Sequence, residues 1–214
     1  MCDAEGPTRE LECGDDDESR LPSWFLEGAE KARVWGEDRT AAVQLLASVR
    51  SDVYSALGLY HQNVKYATTL VISLLTIIAA GLSAARVVGG EAGFEDARVA
   101  LETGTYGLLV VAGVVSSFAI VATTRYYNVY VAALIFGSQV HFGLGLQGFY
   151  WFDRVAETVE SMNRKGRDSR TGRREYIRRR TWSCKDSHFW YTLFLVVIGG
   201  LALAVGLLGL CNGL

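Results

Sequence analysis

The chain is 214 residues long, half of them hydrophobic, with 23 glycines, two prolines and a formal net charge of -2. That is about one domain's length, and so glycine-rich an apolar composition suits packed membrane helices better than a water-soluble core. The near-neutral charge hides an asymmetry: residues 1–40 hold twelve acidic and five basic side chains, and residues 164–185 hold ten basic and two acidic.

Residues 1–39 read as an acidic cytoplasmic tail, with DDDES at 15–19, mostly disordered by composition. Leu21–Trp35 is expected to form at most a short surface helix. The tail lacks the early apolar run of a secretory signal. The four cysteines are Cys2, Cys13, Cys184 and Cys211. No two make a CxxC and two fall in the tail, so neither a disulfide framework nor a zinc site is expected.

Val43, Leu46, Arg50, Val53, Leu57, Tyr60 and Val64 recur at helical spacing and predict one stripe of an amphipathic helix. No break separates this stripe from the uncharged run Tyr66–Ala85, so a single helix over about Thr40–Ala85 is expected. Two further uncharged runs, Thr105–Thr124 and Phe189–Leu210, are also about the 20 residues a bilayer requires. Lys65 and Tyr66, then Arg125, Tyr126 and Tyr127, then Lys185, Trp190 and Tyr191 flank the runs as interfacial residues do.

The segment 129–152 admits two readings. As a fourth span it would leave only RYYN, 125–128, to turn in, and would carry the basic cluster across the membrane. The preferred reading continues the second helix from Gly104 to about Asn163 in the cytoplasm. The positive-inside rule then puts the N-terminus and the basic linker 164–188 inside, and the 86–104 loop and C-terminus outside. The expected fold is an all-α membrane protein with three transmembrane helices. The first two form a long antiparallel hairpin, 40–163, that extends into the cytoplasm.

Asp153, Glu157 and Glu160 share a helix face with Arg164, a spacing that predicts solvated ion pairs rather than acid–base chemistry. With no GxSxG, HExxH or P-loop, no enzyme activity, cofactor or metal is expected. In the first run Thr69, Ser73, Thr76, Ala80 and Ser83 form a small, hydroxyl-bearing stripe, either a helix–helix interface or a pore wall. Gly199, Ala202, Gly206 and Gly209 predict close packing in the third run. Ala133, Gly137, His141 and Gly145, each four apart, predict it in the second helix. His141 could alternatively titrate as a switch, whereas His61 and His188 read simply as interface residues. Arg173, Arg174, Arg178, Arg179 and Arg180 belong to a cluster that fixes topology and can attract anionic lipid. Nucleic acid is not an expected partner, because only Tyr176 and Trp182 are interleaved as stacking platforms. Cys184 is placed where palmitoylation could occur.

The stretch YSALGLYHQNVKYATTLVISLLTIIAAGLSA, Tyr54–Ala84, is followed by a second span and a helical extension. Together with Tyr60, His61 and Lys65, this resembles the SLATT group of small membrane proteins over roughly residues 40–165. The resemblance implies a two-helix transmembrane core and a pore-forming effector role in nucleotide-signalling conflict systems. The third run, Phe189–Leu210, goes beyond that core, and no sensor domain is evident. The expected function is therefore an oligomeric, membrane-perturbing protein in the cell membrane. The alternative is a membrane-anchored scaffold that recruits a cytoplasmic protein through its acidic tail and basic loop.

Overall fold

A computed structural model of the protein describes residues 21–36, 38–88, 95–146, 150–164 and 172–212. The first twenty residues and 165–171 lie outside that set, and with them most of the expected acidic tail and part of the basic cluster. Among the described residues the secondary structure is entirely helical: α1 Ser23–Trp35, α2 Arg39–Val88, α3 Glu95–Gly143, α4 Tyr150–Arg164, α5 Arg173–Thr181 and α6 Ser187–Asn212. The helices α2, α3 and α6 are long and apolar enough to cross a membrane.

Both prolines, Pro7 and Pro22, precede α1, so nothing downstream removes a helical donor. The helix α2 accordingly runs unbroken for 50 residues, about 75 Å at 1.5 Å per residue. Asp38 starts it, accepting the Thr40 N–H at 2.8 Å on its side chain and thereby satisfying one of the orphan donors of the first turn.

The chain divides into two compact units, one made of residues 1–46 with 135–176, the other of 47–134 with 177–214. In the second unit α2, α3 and α6 pack into a three-helix core. One layer joins Ile78, Leu109, Ala112 and Ala202, and another joins Val71, Ala119 and Leu195. Partner numbers fall along α3 as they rise along α2. Tyr60 lies beside Tyr127, and Gly81 lies beside Thr105, whose hydroxyl oxygen would be 2.8 Å from an added Cβ. Ahead of the apolar run 66–85 the buried stripe of α2 is Val49, Val53, Ala56 and Tyr60. Val43, expected on that stripe, is exposed.

The small residues of α6 are consumed within this unit. An added Cβ at Gly199 would sit 2.6 Å from the Ser116 Cβ, and one at Gly206 would sit 2.9 Å from the Tyr106 carbonyl. Gly209 lies against the Tyr106 ring, and Ala202 is buried. Small side chains let two backbones approach closely, and here the approach is between α6 and α3.

In the first unit α1 is the short surface helix expected, with one face packed inward and Glu27, Glu30, Lys31, Arg33, Val34 and Trp35 exposed. Its Phe25, Ala29 and Ala32 are buried, together with Ile135, Val140, Phe152, Val155, Val159 and Tyr176. A Cβ at Gly143 would stand 2.1 Å from the Ala29 carbonyl oxygen, and one at Gly28 would meet the Gln139 amide. That amide donates to the Trp24 carbonyl at 3.1 Å.

The second long helix does not continue to Asn163; it stops at Gly143. Gly145 adopts φ +63°. Its N–H bonds the Phe142 carbonyl at 3.1 Å, and the Leu146 N–H bonds the His141 carbonyl at 2.9 Å. This pair of bonds is a Schellman stop, which needs a left-handed residue that glycine supplies without a Cβ clash. A separate helix, α4, begins at Tyr150.

Candidate functional site

Two features stand out in the second unit, one on its surface and one in its interior. The surface feature is the outward face of α2. Thr69, Ser73, Thr76, Ala80 and Ser83 are all exposed. The same three-and-four spacing continues towards the N-terminus through Lys65, Gln62, Gly58, Ser55, Ser51 and Ser48, every one exposed. This column is about 50 Å long at 1.5 Å per residue, and Lys65 is its one charged member. The Thr76 and Ser83 hydroxyls donate to the carbonyls of Ile72 and Ala79 at 2.9 and 2.8 Å, which leaves their lone pairs facing outward.

The other two apolar helices differ. Exposed residues of α3 within 105–124 include Val111, Val114, Phe118 and Val121. Those of α6 include Phe194, Val196, Val197, Leu201, Val205, Leu207 and Leu208. The outward face of α2 carries Leu70, Ile72 and Ile77 as well, but only there does a hydroxyl column run beside the apolar residues. Sequence reasoning found the part of the column inside the apolar run. It missed the part before it, although the spacing of serines continues unchanged.

The interior feature joins α2, α3 and α6 beside the apolar runs 66–85, 105–124 and 189–210; of its members only Thr192 lies within a run. His188 is 1% exposed. Its Nδ1 lies 3.2 Å from the Tyr60 hydroxyl, and its Nε2 lies 3.4 Å from the Thr192 hydroxyl. A neutral imidazole offers one donor and one acceptor, and a hydroxyl can serve either, so both ring nitrogens are matched. The Tyr127 ring is stacked on the imidazole, and its hydroxyl donates to the Asp186 carboxylate. The other carboxylate oxygen accepts the His188 N–H at 3.1 Å, so Asp186 also caps the start of α6. Thr181, at the end of α5, donates to the Asn128 side chain at 2.7 Å.

The electrostatics follow from this burial. Desolvation, then the Asp186 charge, pushes the Tyr60 phenol up to about 12. Desolvation, then the hydrogen bond to Asp186, holds Tyr127 well above the usual phenol range, against an opposing pull from Arg180. Both hydroxyls therefore keep their protons. Burial pushes the His188 imidazole down, partly offset by Asp186. The sequence placed Tyr60 on the α2 stripe and read His188 simply as an interface residue; 128 residues separate them, so nothing local pairs the two.

The remaining candidates are dispersed. His141 is buried against Phe152, and a Cβ at Gly137 would be 2.3 Å from the Phe152 ring. Ala133 is half-buried. Gly145 is the helix stop, with open space around it. On α5, Arg173, Arg174 and Arg178 are exposed, while Arg179 and Arg180 are half-buried. Cys184 and Cys211 are free and exposed. Glu157 is exposed, and Asp153 and Glu160 are half-buried; the Arg164 side chain lies outside the described set. No family model, curated protein or solved structure matches the chain.

Proposed function

We propose that the chain is an integral membrane protein that self-associates through α2 and lines a polar path across the bilayer with the α2 hydroxyl column. The carrying observation is that column. A helix facing lipid on one side normally turns apolar residues outward within the bilayer, as α3 and α6 do. The outward face of α2 keeps its hydroxyls from Thr69 to Ser83, and in lipid such groups find partners in another helix or in water. The spacing also repeats every seven residues over most of the column, the period of helices that supercoil around one another. A pore-forming role is what the SLATT resemblance implies.

In this reading the apolar runs 66–85, 105–124 and 189–210 are the spans. The N-terminus and the basic linker are cytoplasmic, α2 and α3 form an antiparallel hairpin, and the C-terminus is external. The exposed arginines of α5 then face the anionic headgroups of the inner leaflet.

The test is ion leakage from liposomes holding the full chain. Ser73→Leu with Thr76→Leu should abolish leakage while native mass in mild detergent still shows the assembly. Wild-type protein that runs as a monomer would end this reading. An assembled protein with no leakage leaves the scaffold reading, in which removing residues 1–39 should cost the chain its cytoplasmic partner.

A further inference from the structure

The polar junction around His188 has no part in the pore reading, and its geometry suits a different role. Fully buried histidines are costly to ionise, because the charged form loses hydration. Here the cost is concentrated where three helices meet. Tyr60 approaches from α2 and Thr192 from α6, and their hydroxyls share the two nitrogens of a neutral imidazole, while the Tyr127 ring of α3 stacks on its face. A second ring proton would turn both nitrogens into donors. The Tyr60 and Thr192 hydroxyls would both have to accept, with their own protons redirected into a packed interior. The neighbouring titratable and charged groups are Tyr60 and His61 on α2, Tyr127 and Tyr130 on α3, Arg180 on α5, and Asp186 and Tyr191 at the start of α6. Asp186 is the carboxylate that would welcome an imidazolium. Its two oxygens already accept the Tyr127 hydroxyl and the His188 backbone N–H, so pairing with the ring would compete with contacts that hold the junction together.

We propose that His188 is a proton-operated latch on the junction of α2, α3 and α6, closed while its imidazole is neutral and released when the ring takes a second proton.

The sign follows from linkage. A histidine in water protonates near 6.5, and the buried ring protonates less readily than that. The open junction thus binds more protons than the closed one, and closure strengthens as pH rises. The latch is fully closed above about pH 6.5 and weakens progressively in acid.

The test is hydrogen exchange of the full chain in lipid nanodiscs between pH 8 and pH 5, corrected for the intrinsic pH dependence of exchange. Amides of 187–193 and 57–64 should exchange faster in acid. His188→Gln keeps two polar groups near the hydroxyls but cannot titrate, so it should lose the acceleration, whereas His61→Gln and His141→Gln should retain it. Asp186→Asn should open the junction further at the same acidic pH. An equal acceleration in His188→Gln, or none in the wild type, would overturn the latch. If His188→Gln does not fold, imidazole nitrogen resonances of the wild-type protein decide instead. A His188 ring that is doubly protonated at pH 8, or that protonates without any change in exchange, rules the latch out.

Discussion

The imidazole of His188 lies flat on the ring of Tyr127, with centroids 4.3 Å apart and planes within 3°. Stacking of this kind contributes about 0.5–1.5 kcal/mol beyond the area it buries. It also puts the Tyr127 hydroxyl in line with the carboxylate that caps α6. The junction is therefore one connected network rather than three separate bonds, and its members should fail together.

Tyr127→Phe keeps the stacked ring and deletes the hydroxyl. Asp186, half-buried, loses that donor, so the loss should be about 1.5–3 kcal/mol, the range for hydrogen bonds to charged groups. Thermal unfolding in detergent measures it. Combining Tyr127→Phe with Asp186→Asn should cost less than the sum of the two single changes, since both remove one interaction.

Two adjacent glycines in α6 should respond unequally to the same substitution. Gly199 has the Ser116 Cβ 2.6 Å from where its own would be, and Gly200 faces open space. Gly199→Leu should overpack the α3–α6 contact, by about 1–3 kcal/mol or more. Gly200→Leu should leave stability close to wild type, because its side chain points away from the bundle. A melt of the two variants side by side checks the pair. Equal effects would mean that α6 turns a different face to α3.

Gly145→Ala should destabilise the first unit by about 1–2 kcal/mol, the penalty for a Cβ in the left-handed region. Gly145→Asn should cost less, as asparagine tolerates that region. Proteolysis between α3 and α4 gives a local readout, with the alanine variant cut faster than wild type.

Much of this architecture was legible because long uncharged apolar runs leave few alternatives to a long helix. Twenty consecutive uncharged apolar residues match the thickness of a bilayer and are rare in water-soluble helices. The three runs at Tyr66, Thr105 and Phe189 all fall within long helices. The stripe Gly199–Gly209 was readable as a packing face, though not its partner: spacing names a face, and only the fold names what meets it. The burial of Phe25 in α1 was not readable, since the acidic residues around it dominate the local composition. The end of α3 did leave a trace. Gly143, Gly145 and Gly148 follow one another within FGLGLQG, a glycine density that suits a stop better than a packed stripe. The four-residue spacing from Ala133 to Gly145 masked it. Least legible was the His188 junction, which draws Tyr60, Tyr127 and His188 from three different helices and has no local signature.

The consumption of the α6 glycines against α3 has a geometric consequence for any assembly built through α2. With α3 and α6 bound to each other and turning valine, leucine and phenylalanine outward, a second copy approaching the α2 column between Thr69 and Ser83 would meet hydroxyls and one alanine, with Gly199, Gly206 and Gly209 already taken up against α3 and not left to receive it.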